Sequence, residues 1–339
     1  MDALISQVRQ GQQRAIARLI TRIENSDTAA EQAVVGLYAF TGRAHIIGVT
    51  GSPGSGKSTL VNALAKAFRR LGRTVSIIAV DPSSPFTGGA VLGDRVRMRD
   101  LSGDKGIFIR SMASRGKLGG LSQATSAAAK VMDAAGFDVI LIETVGAGQA
   151  EVDIASTAHT TLVIEAPGMG DDIQSIKAGI LEIADILVVN KADRPGASRA
   201  KRALESMLQL GHSTRAQHHG VMMTADAPAT ELVINDWQVP VLETVSTEEV
   251  GIEELVAAIV SHRDYLKESG EWSEREKSRS RQEIEQLLQL RLMNRLRTTV
   301  PQNNRERLVT AVAARELDPY SAAAELFDQM ANTIKETEI

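Results

Sequence analysis

The 339-residue chain has no cysteine. This excludes disulfides, thiolate metal sites and a cysteine nucleophile, and with them the metal-delivery motifs built on thiolates. Aromatic residues are only 3% of the chain and the formal charge is -4. Little is therefore on offer for base stacking or for attraction to a phosphate backbone, and a nucleic-acid partner is not expected. No apolar run approaches the roughly 20 residues of a membrane span. The N-terminus Met1-Asp2-Ala3-Leu4-Ile5-Ser6-Gln7-Val8 also lacks a basic region followed by a hydrophobic stretch. No membrane association and a cytoplasmic location are the expectation. What is present, 43% hydrophobic and 24% charged residues, is ordinary for a globular protein and excludes a wholly disordered one. The length suits one large domain with smaller appendages.

The run Gly51-Ser52-Pro53-Gly54-Ser55-Gly56-Lys57-Ser58-Thr59 follows the apolar stretch Ala44 to Thr50 and precedes the helix-like Leu60 to Phe68. A phosphate-binding loop needs this setting. Its glycines let successive N–H groups point inward at phosphate oxygens, and the helix behind adds the positive end of its dipole. Lys57 is expected to reach the β- and γ-phosphates and Ser58 to place its hydroxyl on Mg²⁺.

Short apolar runs bounded by turn residues read as strands buried on both faces: Ile46 to Thr50, Thr74 to Val80, Val139 to Ile142, Thr161 to Glu165, Ile186 to Val189 and Val241 to Val245. Helix-like segments alternate with them. The expected fold is an α/β P-loop NTPase with a doubly wound, mostly parallel sheet, ligands lying at the carboxyl ends of the strands. Two short helices are expected ahead of the sheet, with Leu4, Val8, Ile16, Leu19 and Ile23 at helical spacing. From Trp272 onward the chain is strand-poor, with Ile284, Leu287, Leu288, Leu290, Leu292 and Leu296 on an amphipathic helix, and Asp318-Pro319 starting another. This tail reads equally as a helical cap on the monomer and as a dimer interface. The expected division is an N-terminal helical extension over 1–42, a nucleotide domain over 43–265 and a C-terminal helical region over 266–339.

Asn190-Lys191-Ala192-Asp193 stands directly after the strand Ile186 to Val189. A carboxylate at Asp193 accepts both the N1–H and the exocyclic amine of guanine, whereas adenine presents an acceptor at that edge and leaves the charge unmet. Lys191 would lie along the base and Asn190 would brace the loop, so GTP is favoured over ATP. Ser246-Thr247, after the last strand, would meet the guanine carbonyl through backbone N–H, although the sequence there is a loose match to such a loop. Glu143-Thr144-Val145-Gly146 closes the strand Val139 to Ile142. In many P-loop GTPases an acid here meets the metal through water, and the glycine N–H contacts the γ-phosphate. Asp81 and Asp94 are also placed for a metal or an attacking water. The alternatives are an Asp-Pro turn cap for Asp81 and a solvated loop charge for Asp94.

Taken together, these residues resemble the MeaB/ArgK-like GTPases, chaperones of adenosylcobalamin-dependent methylmalonyl-CoA mutase and related acyl-CoA mutases. The resemblance runs through Gly51 to Thr59, Val80 to Ser84, Gly88 to Met98, Ile109 to Gly116, Leu118 to Leu121, Glu143 to Glu151 and Pro167 to Gly179. It implies the SIMIBI branch of P-loop proteins, shared with nitrogenase iron protein and the nickel-insertion GTPases, and a homodimer built partly from terminal helices. Asp81, Asp94 and Glu143 look like the family's metal-proximal acids. Gly168 to Gly179 is similar to its additional switch, in which Gln174 can position water and Lys177 can change partners. The resemblance further implies GTP and GDP with Mg²⁺ as ligands, an acyl-CoA mutase as partner, and adenosylcobalamin held only by that partner, since no Asp-x-His-x-x-Gly motif is present. Arg110 or Arg115 would help stabilise developing charge, or form a structural ion pair. The stretch 211–237 is long for a helix-to-strand connection, and its His212, His218 and His219 read as a surface loop in preference to a metal site. The rival functions are a nickel-type metallochaperone GTPase, which the absence of cysteine disfavours, and a nucleotide-dependent protein kinase linked to transport.

Overall fold

The computed structural model describes residues 2–25, 27–82, 99–101, 103–114, 120–144, 150–168, 182–215 and 237–337. The chain divides into two compact units, Met1–Glu276 and Lys277–Ile339. The first is built on a seven-stranded sheet in the order β3-β2-β4-β1-β5-β6-β7. Its strands are β1 (His45–Gly51), β2 (Val75–Pro82), β3 (Ile107–Ser114), β4 (Val139–Thr144), β5 (Thr160–Glu165), β6 (Ile186–Asn190) and β7 (Val241–Thr244). All six strand pairings are parallel. The expected doubly wound sheet is thus present and wholly parallel. It has one more strand than the sequence suggested, β3 at the edge, within which Arg110 and the serines Ser111 and Ser114 thin the apolar pattern.

The central strands β1, β4, β5 and β6 are buried on both faces, successive side chains pointing to opposite sides. Ile46, Ile78, Ile140 and Ile142 enter the core on one face. Ile47, Ile77, Val139 and Leu141 enter the core on the other. The first face is covered by α1 (Asp2–Arg9), α2 (Gln13–Glu24), α3 (Thr28–Leu37), α5 (Gly120–Ala134) and α6 (Ala150–Thr157). The second is covered by α4 (Lys57–Arg70) and α8 (Ile252–Glu268). Beyond β6, α7 (Ala197–Arg215) packs Ala197 and Leu204 against Leu187 and Val189. Leu4, Val8, Ile16 and Leu19 are buried as their spacing implies, but the leader folds as three helices. The third starts where the Asp27 carboxylate accepts the Ala29 N–H at 2.9 Å, an N-cap that ends one helical run and opens the next.

The sheet's amino-terminal edge is tied down by a chain of buried polar groups. His45 Nε2 lies 2.8 Å from Thr160 Oγ1, which lies 2.8 Å from His262 Nδ1 on α8. His262 Nε2 is 3.3 Å from Asp185 Oδ1. Asp185 also receives the fork of Arg275, from α9 (Glu271–Thr299), at 2.8 and 3.0 Å, and the Thr161 N–H at 2.8 Å. His159 accepts the Ile46 N–H on Nδ1 at 3.0 Å, which leaves Nε2 to carry the proton toward Glu276 at 2.7 Å. Burial drives the pKa of His45 well below the usual imidazole value, so it is neutral here. Burial pushes the Asp185 carboxyl up, but the nearby His262 ring and the hydrogen bonds from Arg275 outweigh it and bring the pKa down from 3.8 to about 2.

A folded-state pKa below the unfolded one contributes stability that is present above the unfolded value and lost as pH falls through the folded value. For Asp185 that share is about 2 kcal/mol, complete above about pH 4 and gone near pH 2. Thermal melts of the wild type and Asp185→Asn across this range are expected to differ most at neutral pH, with the gap closing as the pH falls toward 2.

In the second unit, α10 (Gln302–Ala313) and α11 (Pro319–Thr337) pack on each other, with Arg307 bonded to Glu325 at 2.5 Å and Leu308, Ala322 and Met330 buried. Asp318 caps α11, its carboxylate accepting the Tyr320 and Ser321 N–H groups at 2.9 and 3.0 Å. Ile284, Leu287, Leu288, Leu292 and Met293 on α9 are exposed, as are Tyr320 and Phe327.

Candidate nucleotide-binding site

The strand order reverses at β1, which lies between β4 and β5 while its own continuation crosses to β2. Connections diverge there, and the crevice left at the carboxyl ends is where such sheets receive ligands. The loop from Gly51 to Gly56 occupies it. Gly51 has φ +130, and a Cβ at this position would stand 2.0 Å from the Ile164 carbonyl oxygen of β5. Gly56 has φ +97, and a Cβ there would stand 2.4 Å from Asn190 Nδ2. Both conformation and space demand glycine. Gly51→Ala is expected to cost about 3 kcal/mol or more of stability, and chemical denaturation would read it together with loss of nucleotide binding.

Helix α4 begins at Lys57 behind Gly56, which supplies no side-chain cap. Its first-turn N–H groups therefore face the loop concavity, the arrangement that suits a phosphate. Ser55 Oγ is buried without a hydrogen-bond partner among the described residues. Lys57 is 5% exposed, and its ammonium donates to the Gly51 and Ser52 carbonyls at 2.7 and 2.9 Å. This holds a cation at the mouth of the loop. Ser58, in the next position, donates from Oγ to Glu143 Oε1 at 2.5 Å, and Glu143 is 5% exposed at the end of β4. Thr59 continues α4. Pro53 and Gly54 form the exposed outer bend of the loop.

The Asn190-Lys191-Ala192-Asp193 loop leaves β6 beside the phosphate loop. Asn190 is buried, and its amide donates to the Ser55 carbonyl at 2.8 Å. Its Oδ1 accepts from Thr244 Oγ1 at 3.1 Å and from Ser246 Oγ at 2.6 Å and N–H at 3.3 Å. One side chain thus joins the phosphate loop, β6 and the loop after β7. Lys191, at φ +59, donates to the Gly54 carbonyl at 2.6 Å, so its stem lies across the concavity. Asp193 is exposed, and Thr247 is exposed on the turn closed by the Val245–Val250 bridge. Asp81 lies near the end of β2, in register with Ala113 of β3. Asp94, Gly146, Gln174 and Lys177 lie outside the described residues, as do Arg115, His218 and His219. Arg110 is paired with Glu24 and donates to Thr21 Oγ1 at 3.1 Å on α2.

The site also holds a carboxylate that the motifs did not mark. Ser52 Oγ lies 3.0 Å from both oxygens of Glu165, the last residue of β5. The signal was its position at a strand end, the same rule that singled out Glu143. Thr144 and Thr50 are joined there as well, through their hydroxyls at 3.2 Å.

A family model for the methylmalonyl Co-A mutase-associated GTPase MeaB matches residues 16–301. A putative GTPase of Pyrococcus horikoshii is 46% identical over 323 residues, covering 95% of this chain and 96% of that protein. The GTPase ArgK of Escherichia coli is 36% identical over 273 residues, covering 78% of this chain and 77% of that protein. Among solved structures, one described as a LAO/AO transport system kinase aligns over 96% of both chains with a TM-score of 0.68 and 26% identity. By these matches the chain belongs to the MeaB family of GTPases.

Proposed function

We propose that this GTPase is a switch that binds an adenosylcobalamin-dependent acyl-CoA mutase, methylmalonyl-CoA mutase or a relative, and gates loading, protection or reactivation of its cofactor. The family's description as mutase-associated supports the partner. The observation that carries the nucleotide reading is Asn190, bonded at once to the phosphate loop and to the loop after β7. It couples base recognition to phosphate position within one rigid group.

In this reading GTP lies with its phosphates on the loop 51–56 and the N-terminus of α4, and its base against Lys191 and Asp193. Ser58 and Glu143, two hard oxygen donors side by side, suit Mg²⁺. The ion would neutralise charge on the β- and γ-phosphates. Asp81 and Asp94 complete the proposed metal-proximal acids. Lys57 meets charge developing on the transferred phosphoryl group. Release of the γ-phosphate would free the Gly146 N–H and the 168–179 segment with Gln174 and Lys177, and the partner would sense that change. The exposed leucines of α9 supply the apolar surface for a homodimer.

The solved relative's description as a kinase keeps one competing reading in view, in which the γ-phosphoryl group goes to a protein. Size-exclusion chromatography of the chain with purified mutase separates these readings. A complex whose stability differs between a non-hydrolysable GTP analogue and GDP is expected. Identical elution with both nucleotides, or label passing from γ-labelled GTP to the mutase, contradicts the switch.

A further inference from the structure

At the amino-terminal edge of the sheet, opposite the nucleotide loop, lies a cavity of about 550 Å³. This is the size of a small-molecule site and far more than an inorganic ion fills. Its lining is mixed, with Leu71 and Val260 beside the groups that follow. Phe68 and Val139 are buried beside His45, which burial keeps neutral. The indole of Trp272 forms a wall, stacked on His159 at 3.8 Å. Four cations, Arg43, Arg73, Arg263 and Lys267, line the same cavity against a single carboxylate, Asp138.

That carboxylate is already engaged. Asp138 Oδ2 accepts the Thr74 N–H and hydroxyl, each at 2.8 Å, and Arg73 stands 3.7 Å from its Oδ1. Arg263 pairs with Asp264 at 2.7 Å. Arg43 donates to the Phe40 carbonyl at 3.3 Å, and the Lys267 ammonium stands 5.2 Å from the Trp272 ring. Neither Arg43 nor Lys267 has a carboxylate partner among the described residues. Like charges converging on a concavity repel one another and raise the local concentration of anions. A neutral floor with an aromatic wall rewards a flat apolar body in addition.

We infer that this cavity is a second ligand site, for an organic phosphate whose planar ring lies against Trp272 and whose phosphoryl groups are met by Arg43, Arg73, Arg263 and Lys267. It lies at the opposite strand ends from the GTP site, so both are filled at once. The neutral base and cationic mouth orient the ligand ring-inward.

The probe is adenosine 3′,5′-bisphosphate, titrated calorimetrically into protein saturated with GDP and Mg²⁺. GDP occupancy is measured first in the same cell, so that failure of GDP to bind indicts the GTPase site and not this one. Saturable binding of the bisphosphate to the GDP-filled protein is expected. In the Arg43→Ala, Lys267→Ala double variant it should be at least about tenfold weaker, the loss of charge-assisted hydrogen bonds. Melting temperature and GTP turnover of that variant should match the wild type, since both side chains are exposed. Adenosine, which lacks both phosphates, and ribose 5-phosphate, which lacks the planar base and the 3′-phosphate, should each bind more weakly than the bisphosphate. No binding, displacement by added GDP, equal affinity in the double variant, or equal affinity for ribose 5-phosphate would overturn the assignment.

Discussion

Lys57→Ala is expected to lower the rate of GTP hydrolysis at saturating nucleotide by about 10²- to 10³-fold, the usual cost of one preorganised electrostatic contact to a transition state. The ammonium is 5% exposed and fixed by the Gly51 and Ser52 carbonyls at 2.7 and 2.9 Å. Its orientation is therefore set before substrate arrives, and little reorganisation remains for the reaction itself. The charge is also shielded from water, where it would be worth much less. Lys57→Arg is expected not to restore the rate. A planar fork replaces a compact point charge in a space already bounded by two backbone carbonyls. Single-turnover hydrolysis reads the loss, and a thermal melt within a few degrees of the wild type shows that it is not unfolding.

Asp193→Asn is expected to weaken GTP binding by about 10²-fold or more, two charge-assisted hydrogen bonds being replaced by one neutral acceptor and a donor facing a donor. Stability should move by no more than about 0.5 kcal/mol, because the side chain is exposed and outside the Asn190 brace. Xanthosine triphosphate, which carries an oxygen where guanine carries its amine, should bind the variant better than GTP does. Equilibrium titration with the three nucleotides GTP, ATP and xanthosine triphosphate tests both halves. A variant that keeps its preference for GTP would remove Asp193 from base recognition.

Both expectations rest on residues legible in the sequence. Lys57 and Asp193 stand within short runs whose order along the chain is their order in space, so spacing alone marks them. The central strands are equally plain, since Ile46 and Ile47, or Ile140 and Leu141, feed opposite cores. Edge strand β3 was missed because it has one strand neighbour and carries Arg110, which is spent on Glu24 of α2. The third N-terminal helix was missed because its buried face is largely alanine, Ala30 and Ala33 with Leu37, a weak periodic signal. Glu165 touches Ser52 only because β5 pairs with β1, a contact across 113 residues of chain. The His45, Thr160, His262, Asp185 and Arg275 chain lies further still from any local pattern. Its members come from β1, β5, the turn before β6, α8 and α9, and only the assembled fold brings them together.

The most direct test of the switch is steady-state GTP hydrolysis by the purified protein, alone and with each adenosylcobalamin-dependent acyl-CoA mutase of its source, with ATP and Lys57→Ala as controls. The account predicts slow turnover of GTP alone, faster turnover with one mutase, and none of that stimulation in the variant or with ATP. A GTP rate that no mutase alters would leave a GTPase but contradict the proposed partner and the gating role built on it.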